Sequence, residues 1–106
     1  MRSHQEIDRR SLELHRLIAE RIRCEPALFD KAKETLARWR VIVSPSSQPY
    51  LAAWESLMEQ GIDACLAVAT EDSEWATALR QSSPLACALP NSERLDFLKK
   101  WGLGHR

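Results

Sequence analysis

The stretch from Trp75 to Trp101, WATALRQSSPLACALPNSERLDFLKKW, decides the fold class. A helical pattern runs into Arg80-Gln81-Ser82-Ser83-Pro84, an apolar run follows, and Pro90-Asn91-Ser92-Glu93 opens a second helical pattern that ends at Trp101-Gly102. Proline disfavours the α region for the residue before it, so Ser83 is expected outside the helix, at a turn. Leu85, Ala86, Cys87, Ala88 and Leu89 are too apolar for a surface loop, and are predicted to fold back beneath the neighbouring helices. Asn91 suits an N-cap, and the spacing of three between Leu95, Leu98 and Trp101 predicts one buried face. Lys99 and Lys100 complement the dipole at the helix end, and Gly102 suits the position after it.

The same punctuation recurs upstream. Ser3 and Glu6 fit a capping box that opens a long helix over about residues 4–23. Its inner face is predicted to hold Ile7, Leu14, Ile18 and Ile22, joined by Leu17, with Leu12 roughly opposite. On the polar side Arg9, Glu13, Arg16, Glu20 and Arg23 alternate in sign at spacings of a salt-bridged solvent face. Pro26 suits the first turn of a second helix carrying Leu28, Ala32, Thr35 or Leu36, and Trp39 inward. Val41-Ile42-Val43, too short for a lone strand, is expected as a buried helix extension or connector.

A linker spans about residues 44–48, and the remaining helices lie within 49–101. Pro49 opens a third helix, with Leu51, Trp54, Leu57 and Met58 inward and Gly61 as its stop. Asp63 is expected to cap a short fourth helix, with Ile62 stapling against Leu66 or Ala67. Thr70 is expected to cap a fifth, with Glu71, Asp72 and Glu74 in its first turn and Trp75 and Leu79 inward. The chain therefore reads as a single all-α domain, a compact bundle of about six mostly short helices, without repeats.

Composition excludes several classes of function. With 106 residues and 44% hydrophobic content the chain can bury one modest core, and no apolar run approaches the roughly 20 residues of a membrane span. No signal-peptide pattern opens the sequence, so a cytoplasmic location is expected. Cys24, Cys65 and Cys87 form no CxxC pair and read as small core residues. His4, His15 and His105 form no metal-ligand spacing, Ser82 and Ser83 lack a GxSxG setting and a nearby histidine, and three glycines offer no phosphate cradle. No metal, cofactor or catalytic constellation is expected.

Net charge is zero but unevenly placed. Residues 1–40 hold ten Lys/Arg against seven Asp/Glu, residues 41–90 one against six, and residues 91–106 four against two. Such an acidic middle repels phosphate while offering a complementary surface to a basic partner or to another copy of the chain. A helix-turn-helix over residues 62–81 fails for the same reason, since Glu71, Asp72 and Glu74 would meet the DNA backbone.

The segments EPALFDKAKETLARWR (25–40), PYLAAWESLMEQG (49–61) and ATALRQSSPLACALPNSERLDFLKKW (76–101) resemble a family of small all-helical bacterial proteins with an LRQSSPF-type motif. The resemblance covers about residues 10–101, and Leu79-Arg80-Gln81-Ser82-Ser83-Pro84 carries it best. Leu85 stands where that family usually has an aromatic, and no helix-turn-helix precedes the domain, which speaks against direct DNA binding. Members occur alone or behind an Xre-type helix-turn-helix, in toxin–antitoxin or phage-defence operons. The resemblance thus implies a non-catalytic, antitoxin-like or immunity-like inhibitor of a partner enzyme, of nucleotidyltransferase or nuclease type, encoded nearby. Glu55, Glu59, Glu71, Asp72 and Glu74 are the expected charge contacts, with Arg80, Gln81 and Ser82 as polar contacts. The alternative is a nucleic-acid-binding regulator acting as a dimer through Arg9, Arg16 and Arg23; a third is a small enzyme of unrecognised type.

Overall fold

A computed structural model describes the backbone of residues 4–104 and the side chains of residues 6–100. The Ser3 cap and the Trp101 side chain lie outside the described residues. Six α-helices follow in order: α1 His4–Cys24, α2 Ala27–Ile42, α3 Gln48–Gln60, α4 Ile62–Ala69, α5 Glu74–Arg80 and α6 Asn91–Gly104. Two 3-10 turns, Pro45–Ser47 and Pro84–Ala88, interrupt them, and no strand occurs among the described residues.

Local signals place most boundaries. Pro26 sits at the N-cap of α2, and a proline falls in the first turn of α3. Gly61, at φ 116°, closes α3 and opens α4 in a backbone conformation that side-chain-bearing residues rarely adopt. The connection before α3 is locked by Gln48, whose amide donates to the carbonyls of Arg40 and Val43 at 3.1 and 3.2 Å while its oxygen accepts from Arg40 Nη1. Those bonds satisfy carbonyls left open at the end of α2.

The apolar run after Pro84 lies at the centre of the molecule. Leu85, Ala88 and Leu89 are buried against α1 and α2 as expected, together with Pro84, whereas Ala86 is half-buried and Cys87, also expected beneath the helices, is exposed. Trp54 is fully buried, and its Nε1–H donates to the carbonyl of Leu79 at 2.9 Å. One side chain thus fills the core and satisfies a carbonyl where α5 ends.

Several helix faces differ from expectation. The buried face of α1 comprises Leu12, His15, Ile18, Ala19 and Ile22, whereas Leu14 and Leu17 are half-buried and Ile7 is exposed. This is a rotation of roughly a quarter turn, centred on His15 rather than on the large aliphatic residues. Thr70 does not cap α5; its hydroxyl donates back to the carbonyl of Leu66 at 2.7 Å, and Ser73 caps instead, accepting from the Ala76 N–H at 3.1 Å. The later start leaves Glu71 and Asp72 in the loop ahead of the helix, and α5 buries Ala76, Leu79 and Arg80 while Trp75 faces outward, 54% exposed. Asp63 does not cap α4, which begins at Ile62.

Val41 and Ile42 do extend α2 but are exposed rather than buried. Helix α6 continues past Gly102 to Gly104, and its Leu95 and Leu98 face solvent instead of the core. It is tied to α1 through the Arg21–Glu93 ion pair at 2.7 Å, and Leu17 and Phe97 line a hollow of about 340 Å³ between the two helices. Of the cysteines only Cys65 is a core residue, its thiol pushed up to about 12 by burial; Cys24 and Cys87 are exposed.

Truncating Leu85→Ala is expected to destabilise the fold by about 2–5 kcal/mol, the range for deleting a fully buried leucine. Trp54→Phe, which keeps most of the volume but orphans the Leu79 carbonyl, should cost about 1–3 kcal/mol. Urea titrations followed by far-ultraviolet circular dichroism measure both.

Candidate functional site

Arg80 and Ser83, the two ends of the Arg80-to-Ser83 segment, fold inward. Arg80 is only 5% exposed. Its Nη1 donates to the carbonyls of Ala69 and Glu71 at 3.1 and 2.8 Å, and its Nη2 to Thr77 Oγ1 at 3.2 Å. Burial lowers its pKa, opposed by the charges of Asp72 and Asp8. The residue expected to touch a partner therefore acts from beneath, fixing the loop between α4 and α5 through its backbone.

Ser83 forms the second inward contact. His15, 2% exposed, places Nδ1 2.8 Å from the Ser11 carbonyl and Nε2 2.8 Å from Ser83 Oγ. A carbonyl can only accept, so the proton resides on Nδ1 and the Ser83 hydroxyl donates to Nε2. Ser83 Oγ in turn accepts the Leu85 N–H at 3.2 Å. The sequence reading finds no histidine near this serine; the fold supplies one from 68 positions away. The pair clamps α1 to the central turn. Burial, with a smaller contribution from Arg80, lowers His15 to about 4, which holds the imidazole neutral.

Above these joints lies an acidic cleft. Glu6, Asp8, Arg9 and Leu12 of α1 face Asp72, Thr77 and Arg80 across a hollow of about 610 Å³. A second hollow of about 520 Å³ continues from it, sharing Asp8, Asp72 and Thr77 and adding Ser73, Glu74, Ala78 and Gln81. Glu71 and Asp72 are exposed in a loop of fixed shape, with the Glu71 carboxylate accepting from Ser73 Oγ at 2.5 Å. Because they precede the cap of α5, its dipole does not account for them; only Glu74 lies in its first turn. Asp8 and Glu6 had no part in the sequence-based site, since only the fold brings the start of α1 across from residue 72.

The other expected contacts lie elsewhere. Glu55 and Glu59 edge a groove of about 210 Å³ between α2 and α3, with Lys33, Leu36, Ala37 and Met58, and Glu55 pairs with Arg40 at 3.7 Å. Of the five carboxylates, Asp72 and Glu74 line the cleft, Glu55 and Glu59 line this groove, and Glu71 lines neither. Gln81 is exposed and lines both the cleft and a hollow of about 290 Å³ that it shares with Trp39, Ala86 and the half-buried Ser82. Of the arginines proposed for nucleic acid, Arg9 sits among the cleft carboxylates, Arg16 pairs with Glu13, and Arg23 is exposed near the other end of α1.

No protein-family model, curated protein or solved structure matches the chain. Among the described residues no group of three or more His, Cys, Asp and Glu side chains is placed to hold a metal ion, and no helix is long and apolar enough to cross a membrane.

Acid should loosen the clamp. With His15 at about 4 in the fold and 6.5 as its ordinary value, the unfolded chain binds the extra proton between these limits. Stability is therefore full above pH 6.5 and falls as pH drops toward 4, by about 3 kcal/mol in total. Urea midpoints at pH 7, 6 and 5 should show this decline in the wild type and a shallower one in His15→Gln; equal slopes would contradict it.

Proposed function

We propose that this chain is a non-catalytic interaction protein, antitoxin-like or immunity-like, that neutralises a partner enzyme by covering a basic surface of it. The single observation that supports this reading is the cleft between α1 and α5. Its carboxylates converge from α1 (Glu6, Asp8), from the loop pinned from below by Arg80 (Asp72) and from the first turn of α5 (Glu74). The exposed indole of Trp75 follows directly on Glu74. Carboxylates steer a basic partner into encounter, and an exposed tryptophan beside them is the kind of anchor that dominates binding energy. The resemblance of the Leu79–Pro84 segment to a family from toxin–antitoxin and phage-defence operons names the class of partner, a nucleotidyltransferase or nuclease encoded alongside.

Co-expression with the product of the adjacent gene should yield a complex that resists moderate salt, with the partner's activity suppressed. Asp72→Asn with Glu74→Lys should slow association and flatten its salt dependence, while Trp75→Ala should raise the dissociation rate, each weakening affinity by roughly tenfold or more. These side chains are exposed, so circular dichroism should report an unchanged fold. Inhibition at wild-type potency by both variants, or a salt-dependent shift of operator DNA without any protein complex, would reject the reading.

A further inference from the structure

The segment Leu79 to Pro84 leaves two polar side chains without a task in the fold. Leu79 lends its carbonyl to Trp54, Arg80 holds the loop before α5, and Ser83 clamps His15. The side chains of Gln81 and Ser82 make no hydrogen bond among the described residues, and both line the hollow of about 290 Å³ beside Trp39. The Trp39 indole N–H and the Ser47 hydroxyl, which line it too, are equally free. Val43 and Ala86, each only half-buried, supply apolar lining over a floor of Leu51. Apolar lining with a few free polar groups is the make-up of a small-ligand site, and this volume lies at the small end of their range of about 300–1,000 Å³.

Arg80 decides the sign of the ligand. Among the described residues it is the one ionisable side chain that lines this hollow, and no carboxylate does. Its guanidinium is buried without an ion pair among those residues, and its Nε–H has no acceptor. Buried charges are ordinarily paired, so an anion close by is favourable. Arg80 also borders the α1–α5 cleft, where Asp8 and Asp72 repel an anion. The hollow beside Trp39 is the side that can receive one. Because Nη1 and Nη2 are already bonded, Arg80 offers no fork to a phosphate, and a single negative charge met by neutral donors fits better.

We propose that this hollow binds a small monocarboxylic acid. Its carboxylate accepts from Gln81, Ser82 and the Trp39 indole beside the charge of Arg80, and its hydrocarbon part lies on Val43 and Ala86. The site uses none of the carboxylates of the α1–α5 cleft, nor Trp75, and stands independently of the heterologous partner.

Titration of the isotope-labelled chain with phenylacetate and with hexanoate, followed by nuclear magnetic resonance, tests it. The Trp39 indole and Gln81 side-chain amide signals should shift together and saturate with at least one acid, at a Kd of about a millimolar or tighter. Phenethyl alcohol and hexanol, which lack the charge, should bind at least about tenfold more weakly than the corresponding acid. Gln81→Ala with Ser82→Ala should weaken the acid by about tenfold with circular dichroism unchanged, since neither side chain is bonded in the fold. Asp72→Asn with Glu74→Lys should bind it at least as tightly as the wild type. Signals that fail to saturate with either acid by roughly 10 mM, alcohols that bind as well as the acids, or full affinity in the Gln81–Ser82 double variant would each overturn the proposal.

Discussion

Two buried polar joints hold α1, α4 and α5 in register, and both come from the segment Arg80 to Ser83. Arg80 reaches back to carbonyls at the end of α4 and in the following loop, and Ser83 reaches across to His15 of α1. Burying a guanidinium or an imidazole is unfavourable unless its donors and acceptors find partners. The geometry that satisfies Arg80 Nη1 and Nη2 and both ring nitrogens of His15, with Arg80 Nε left without a partner, therefore admits little variation. Hydrophobic contact alone would let these short helices slide; the joints fix which residues of α1, α4 and α5 meet.

That constraint reaches the surface. The Glu71 carbonyl is held by Arg80, so the loop bearing Glu71 and Asp72 keeps a defined shape opposite Glu6 and Asp8. An acidic loop free to move would lose ordering entropy on meeting a partner, whereas this one is already ordered. The motif residue expected to make contact is thus a positioning residue, and the contact falls to its neighbours in space.

Legibility in the sequence follows the range of each signal. Pro26, Pro49, Gly61 and Pro84 act on their own backbone, so the helix count and most boundaries could be read directly. Helix rotation could not, because it depends on partners distant in sequence. The inner face of α1 centres on His15, a residue that hydropathy alone places outside, and its burial is licensed by Ser83. Thr70 and Ser73 are both competent caps, and the choice between them decides whether Glu71 and Asp72 belong to the helix or to the loop before it. The carboxylates were legible as an acidic middle, but their division between two faces required the fold. Leu95 and Leu98 carry the spacing of a core face, yet α6 meets α1 by its other side.

This last mismatch bears on how a chain of zero net charge can be selective. At physiological ionic strength exposed charges farther apart than about 8 Å are largely screened from one another. A partner therefore responds to the patch in front of it, and the overall balance of fifteen cations and fifteen anions has little influence. The cleft between α1 and α5 and the groove between α2 and α3 are both acidic, but they differ in floor. The first has a polar base of Thr77 and Arg80, suited to a wet, charge-led encounter, and the second rests on Leu36 and Met58, both already closed into the core. Two surfaces of the same sign can thus distinguish their partners by what lies beneath the charge.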